Sequence, residues 1–237
     1  MKAVLLAAGF GTRLRPLTNT IPKCLVPILG KPLLAIWLDR LFGNGDIERV
    51  LVNTHYLSER VVEHVAQSPW KDKIDLVYEP VLLGTAGTLW QNREWIGSGP
   101  ILVAHADNLT LFEVPAFIAA HKHRPASCPI TMMTFDTDAP QTCGIVEEKD
   151  GIVVGFHEKV ANPPGTRANA AVYILEREVV DAMASEDQAF IDMSTEILPQ
   201  YIPGRICTHH NSIYHRDIGN LESLRLAEIE LPAIGYK

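Results

Sequence analysis

The residues Lys2-Ala3-Val4-Leu5-Leu6-Ala7-Ala8-Gly9-Phe10-Gly11-Thr12-Arg13-Leu14-Arg15-Pro16-Leu17-Thr18, followed closely by Pro22-Lys23, decide the fold. The opening apolar run is short, unbroken and bounded by glycine, which suits a strand buried on both faces of a parallel sheet. A glycine turn at the C-terminal end of such a strand lets backbone N–H groups approach a ligand with no Cβ in between, and successive N–H groups of this kind form an anion-binding nest. The charge pattern agrees. Met1 to Leu38 contain five basic residues, Lys2, Arg13, Arg15, Lys23 and Lys31, and no Asp or Glu, whereas the 237-residue chain has a formal charge of -7 and residues 39–237 carry -12. An acidic protein repels anionic ligands overall, so a carboxylate-free basic stretch points to a polyphosphate bound there.

Two other phosphate loops are excluded. No Gly-Lys-Ser or Gly-Lys-Thr occurs, as a P-loop requires. The dinucleotide fingerprint needs a third glycine opening a helix, but Leu14 stands at that place and Pro16 follows. The loop is therefore expected to wrap over its ligand, with Arg13 and Lys23 arriving from opposite sides. A lone Gly-x-Gly would read as a strand turn with solvated cations. The longer string Ala7 to Thr18, closed by Pro22-Lys23, resembles the signature of the sugar-1-phosphate nucleotidylyltransferases. The later stretch Leu82-Leu83-Gly84-Thr85-Ala86-Gly87-Thr88-Leu89, with the short chain, looks closest to the guanylyltransferases of mannose 1-phosphate and heptose 1-phosphate.

Working outward, residues 33–42 show helical spacing up to Gly43, residues 49–54 and 74–78 read as strands, and a helix is expected over 57–67. This alternation predicts an α/β fold: a mostly parallel, doubly wound, Rossmann-like sheet with ligands beyond the carboxyl ends of its strands. The stretch Glu79-Pro80-Val81-Leu82-Leu83-Gly84-Thr85-Ala86-Gly87-Thr88-Leu89 gathers small residues before a helix expected over 85–95. Small residues there serve either a flat ligand or a tight helix entry. The family resemblance implies a second nucleotide-binding segment, with Gly84, Thr85 and Glu79 near the base. A further apolar strand, residues 100–104, ends in His105-Ala106-Asp107-Asn108. A carboxylate at a strand tip suits a hard cation or caps a turn. The resemblance implies the cation, although Ala106 replaces the glycine usual in the family.

From Ile130 the pattern changes to short strands over 130–135, 143–147 and 151–156, with a hairpin turn at 148–150, so a smaller antiparallel portion is expected. Gly144, Glu158, Lys159 and Asn169 arrive on neighbouring strands. Carboxylate and amide suit sugar hydroxyls and ammonium suits phosphate, and the four resemble the family's sugar-phosphate subsite, with Val160 in place of its usual proline. A strand over 212–216 leads to Asp217-Ile218-Gly219 before a helix over 221–230. This resembles the family's terminal metal motif, which makes Asp217 the second ligand, with Asp107, of a magnesium ion.

With 47% hydrophobic residues, the chain fits one nucleotidyltransferase domain over 1–237, residues 1–129 serving mainly the nucleotide and 130–237 mainly the sugar phosphate and the second metal ligand. No apolar run reaches the ~18 residues needed to span a bilayer, no signal-peptide pattern opens the chain, and Cys24, Cys128, Cys143 and Cys207 form no C-x-x-C pair. The cytoplasm is the expected location, and neither membrane nor nucleic acid is an expected partner. Oligomeric state is left open, homo-oligomers included. Hexapeptide repeats are missing, so the β-helix that some relatives carry is not expected.

The resemblance implies that a nucleoside triphosphate and a sugar 1-phosphate give a nucleotide-sugar and pyrophosphate. It implies nucleotide contacts from Leu6, Ala8, Gly9, Gly11, Thr12, Arg13, Lys23, Glu79, Gly84, Thr85 and Asp107, with Arg13, Lys23 and Lys159 as the catalytic cations. Other bases stay open, as uridylyl-, thymidylyl- or cytidylyl transfer to another sugar phosphate. So does a regulatory subunit that binds nucleotide-sugar without turnover.

Overall fold

The computed structural model describes residues 1–183 and 190–236. Its strands are β1 (Lys2–Leu6), β2 (Pro27–Ile28), β3 (Lys31–Pro32), β4 (Arg49–Thr54), β5 (Ile74–Tyr78), β6 (Ile101–His105), β7 (Asn108–Leu111), β8 (Ile130–Asp136), β9 (Gly144–Lys149), β10 (Ile152–Glu158), β11 (Arg167–Leu175), β12 (Ile206–His210) and β13 (Tyr214–Asp217). The helices are α1 (Leu33–Phe42), α2 (Ser58–Ala66), α3 (Gly84–Gln91), α4 (Arg93–Ile96), α5 (Val114–His123), α6 (Arg177–Asp181) and α7 (Leu221–Ala233).

Nine strands form one mixed sheet in the order β5-β4-β1-β6-β11-β8-β12-β10-β9. From β5 to β6 every pairing is parallel. The chain turns antiparallel at β6–β11, so the antiparallel portion expected from the sequence continues the same sheet. Strict alternation along the parallel strands feeds two cores. Ala3, Leu5, Val50, Val52, Leu102 and Ala104 face one side, where Trp37, Leu41 and Phe42 of α1, Val61 of α2 and Phe117 of α5 cover them. Val4, Leu6, Leu51, Ile101 and Val103 face the other, against Leu89 of α3, Val179 of α6 and the 193–201 segment. Burial on both faces is why these strands read as continuous apolar runs.

A third core decides where the site sits. Leu14 and Val26 from the opening loop, Ile28 of β2, Leu33 and Ile36 of α1, Leu109 and Leu111 of β7, Ile218, and Ala227 and Leu231 of α7 pack together. That cluster ties the glycine loop to the β7–β13 pair. The loop itself runs through three separate 3-10 turns, Thr12–Leu14, Leu17–Asn19 and Lys23–Leu25, in place of a long helix.

Several element boundaries differ from the sequence reading: the hairpin turn expected at 148–150 falls at Asp150-Gly151, with Glu148 and Lys149 in β9, α7 runs on to Ala233, and two further differences have a side-chain cause. The helix expected over 85–95 breaks at Asn92, whose Nδ2 donates to the Thr88 carbonyl at 2.8 Å, a side-chain bond that competes with helix continuation. The strand expected over 212–216 begins at Tyr214, because Asn211 Oδ1 accepts from the Ile213 N–H (3.1 Å) and holds residues 211–213 in a turn.

Candidate active site

Below the glycine loop the chain brings two distant carboxylates together. Asp107 follows β6, Asp217 ends β13, and β13 pairs with β7 so that Asp217 lies opposite Asn108. Lys23 Nζ donates to Asp107 Oδ2 at 2.7 Å and lies 3.5 Å from Asp217 Oδ1, while Arg13 approaches Asp217 Oδ2 at 3.9 Å. Lys23 is buried; Arg13 is open to solvent. The two cations thus meet the carboxylates from inside and outside. Burial alone would raise the Asp107 carboxyl, but the neighbouring Lys23 charge, aided by His105 and the Lys23 hydrogen bond, holds it below the usual carboxylate value.

The loop's shape has a local cause. Gly11 has φ +62°, and a Cβ there would stand 3.0 Å from Lys23 Cβ and 3.1 Å from Thr18 Cγ2. Thr18 Oγ1 donates to the Gly11 carbonyl (2.7 Å), and Tyr56 donates to the Thr18 carbonyl (3.0 Å). Gly9, Phe10, Thr12 and Arg13 remain exposed, so an anion can reach this arc of backbone.

A cleft of about 200 Å³ opens beside the loop, lined by Leu6, Ala8, Gly9, Glu79, Gly84, Thr85 and Asp107, all expected from the sequence, and by Asn53, Leu82, Thr88, His105, Phe190 and Asp192, which were not. Gly11, Thr12, Arg13 and Lys23 stand outside this cavity, on or beneath the loop. Glu79 is 3% exposed: its Oε1 accepts from Thr88 Oγ1 (2.6 Å) and Asn53 Nδ2 (3.0 Å), and among the described residues its Oε2 has only the Leu83 N–H at 3.4 Å. Asn53 Oδ1 in turn accepts from the Ala7 N–H at 2.7 Å, so one buried network holds both the loop entry and Glu79. Asn53 and His105 flank Leu6 in register on neighbouring strands. A polar residue ending an apolar parallel strand is the signal that could have found both. Burial keeps His105 below the ordinary histidine value, against the pull of Asp107 and Asp192. His55 Nδ1 lies 2.7 Å from the Glu79 carbonyl, to which it donates.

At the helix entry the tight-packing reading fits the geometry. Ile191 O accepts from the Ala86 N–H (3.0 Å), and Ile191 N–H donates to the Leu83 carbonyl (2.9 Å). The Thr85 hydroxyl donates to Asp192 Oδ2 (3.3 Å) and accepts from the Met193 N–H (2.7 Å). Thr85 therefore anchors the 191–193 segment as well as lining the cleft. No local pattern marks Asp192.

The later cluster also assembles. Glu158 faces Gly144 across the β9–β10 ladder, Ala168 pairs with Ile145, and Asn169 opens a bulge in β11. Lys159 Nζ pairs with Glu158 Oε1 at 2.8 Å on the surface. Asn169 commits both amide atoms locally, donating to Tyr173 Oη (2.6 Å) and accepting from the Ala171 N–H (2.9 Å). The Tyr173 hydroxyl is pushed well above the ordinary tyrosine value, chiefly by burial, against the lowering effect of the Asn169 hydrogen bond.

The fold and site define an α/β protein with a basic glycine loop set over a carboxylate pair. The nucleotidyl transferase family profile matches residues 2–232, and the chain belongs to that family. It is 30% identical to UTP--glucose-1-phosphate uridylyltransferase of Synechocystis sp., covering 85% of this chain and 55% of that protein. It is 34% identical to mannose-1-phosphate guanylyltransferase 1 of Arabidopsis thaliana, covering 76% of this chain and 51% of that protein. The chain therefore spans little more than half the length of these curated relatives. In fold it is similar to HddC from Yersinia pseudotuberculosis complexed with GMP-PN, with a TM-score of 0.78 and 23% identity over 97% of this chain and 99% of that one. Among the described residues no helix is long and apolar enough to cross a membrane.

Proposed function

We propose that the protein transfers a nucleotidyl group from a nucleoside triphosphate to a sugar 1-phosphate, forming a nucleotide-sugar and pyrophosphate, with GTP as donor and mannose 1-phosphate or a manno-heptose 1-phosphate as acceptor. The reaction rests on one observation: Asp107 and Asp217 converge on a single point beneath a basic, exposed glycine loop. Two carboxylates completed by phosphate oxygens are an ordinary magnesium environment. Asp107 and Asp217 would hold the magnesium ion, which would supply Lewis-acid screening of phosphate charge at this place.

The phosphate monoester needs no general base, because its second pKa is ~6 and it is mostly dianionic near neutral pH. The protein's task is to bring two polyanions together. Arg13 and Lys23 neutralise the triphosphate beside the N–H groups of the loop, and Lys159 turns from Glu158 to hold the incoming phosphate. Gly144 and Glu158 face the sugar, with Asn169 fixing that wall through Tyr173. Within one domain, residues 1–129 then serve mainly the nucleotide and 130–237 mainly the sugar phosphate. Lys23→Ala is expected to raise KM for the triphosphate far more than for the sugar phosphate, and Lys159→Ala to do the reverse. Steady-state constants for both substrates check this; equal effects of both changes on both substrates would count against two separate subsites.

Glu79 supports guanine. Its buried Oε2 has spare acceptor capacity in the cleft, and guanine offers two adjacent donors, N1–H and the 2-amino group, where uracil and thymine offer one donor between two carbonyls. An unpaired buried polar group costs ~1–3 kcal/mol, so one or two of them give roughly tenfold to several-hundredfold discrimination. Competition among GTP, UTP, dTTP and CTP, read as pyrophosphate release with mannose 1-phosphate or a heptose 1-phosphate, is expected to favour GTP. Glu79→Gln is expected to erase most of the preference. A clear choice of UTP, dTTP or CTP overturns the guanylyl assignment alone; no pyrophosphate with any pair favours a non-catalytic binding subunit.

A further inference from the structure

Lys23 is bound to the same two carboxylates that the proposed reaction gives to magnesium. Its Nζ lies 2.7 Å from Asp107 Oδ2 and 3.5 Å from Asp217 Oδ1, and the residue is 6% exposed. The side chain leaves the turn Lys23–Leu25 and passes under Gly11, so its path to the carboxylates is built into the loop. Arg13 touches Asp217 only from the solvent side, at 3.9 Å.

A divalent ion on Asp107 Oδ2 and an ammonium hydrogen-bonded to that oxygen would be like charges a few ångströms apart, and in a partly buried site such repulsion is strong. The two therefore compete for the same carboxylates. We infer that Lys23 is an exchangeable internal cation: metal entering between Asp107 and Asp217 displaces its ammonium, which swings to the triphosphate. The inference rests on the proposed reaction and adds a coupling to it. Lysine carries its charge on a flexible four-carbon stem, so the swing needs no backbone change. Without a triphosphate the displaced ammonium loses its partners in a buried place, which is costly. With a triphosphate it gains new ones. Metal alone therefore binds weakly, and metal and triphosphate strengthen each other's binding through Lys23. A lysine that only holds phosphate would carry no such coupling.

Mn²⁺ binding to the full chain, followed by electron paramagnetic resonance of the free ion, tests this without turnover. In the absence of nucleotide, Lys23→Met is expected to bind Mn²⁺ about tenfold or more tighter than wild type, the scale of a charge-assisted hydrogen bond no longer to be broken. The gain in Mn²⁺ affinity that α,β-methylene GTP brings to wild type is expected to shrink in the variant. Equal or weaker binding by Lys23→Met without nucleotide overturns the exchange. A second measurement uses wild type only: acetylation of Lys23 by acetic anhydride, read by mass spectrometry, is expected to be slow and to accelerate as Mg²⁺ is added. A rate for Lys23 that Mg²⁺ leaves unchanged also overturns it. Failure of wild type and variant alike to bind Mn²⁺, with or without the analogue, overturns the metal reading beneath the proposed function as well.

Discussion

Asp107→Asn and Asp217→Asn are each expected to lower nucleotidyl transfer by roughly 10²–10³-fold or more, the scale of losing one preorganised electrostatic partner of a transition state. The substitution keeps the shape of the side chain and removes its charge, so circular dichroism should report an unchanged fold while pyrophosphate release collapses. Near wild-type turnover at saturating magnesium by either variant would remove that carboxylate from the metal site. The two should differ in stability. Asp107 is the main partner of buried Lys23, whereas Asp217 is about half exposed and more distant from it. Asp107→Asn therefore leaves the ammonium worse paired and should melt at a lower temperature than Asp217→Asn. The pH dependence follows from the same contact. Because the Asp107 carboxyl is held below 3.8 in the fold, its stabilising contribution is complete above the unfolded value and is lost as pH falls through the lowered folded one. Acid titration of the melting temperature should show a step in wild type, at or below about pH 4, that Asp107→Asn lacks.

Gly84→Ala is expected to destabilise the protein by about 2–4 kcal/mol, among the larger effects a single substitution produces. Gly84 has φ +78°, where a side chain is strained, and a Cβ there would run into the backbone of residue 191, striking its carbonyl oxygen with the carbonyl carbon at 2.8 Å and the nitrogen at 2.9 Å. Backbone on both sides leaves no flexible group to yield. The adjoining bonds from Ile191 to α3 and from Thr85 to Asp192 and Met193 must loosen, so the wall carrying Asp192 moves with them. Chemical denaturation measures the loss, and nucleotide affinity should fall in parallel. A variant as stable as wild type would mean that the 190–193 segment is not held against α3 as described.

The sequence by itself determined the parallel half of the sheet and the exposed glycine loop. Strands β1, β4 and β6 are buried on both faces, so each appears as an unbroken apolar run that no neighbour is needed to interpret. The loop announced itself through glycine, proline and charge, which act on the residues beside them. Asn53 and His105 were within reach as polar ends of apolar strands. The extent of helix 85–95 was not, because the Asn92 side chain ends it by a bond that periodicity does not register. Tertiary structure alone decided the rest. Asp107 meets Asp217 because β7 pairs with β13 over a core shared with the loop, and the strength of that pairing lies in packing between segments far apart in the chain. The same holds for Glu79, which is buried against Asn53 and Thr88, and for Asp192, held at the cleft by Thr85 and by the bonds of Ile191 to Leu83 and Ala86. Short-range patterns record what a residue does to its own backbone and which face it presents. Which distant side chain it will meet is settled by how the faces close.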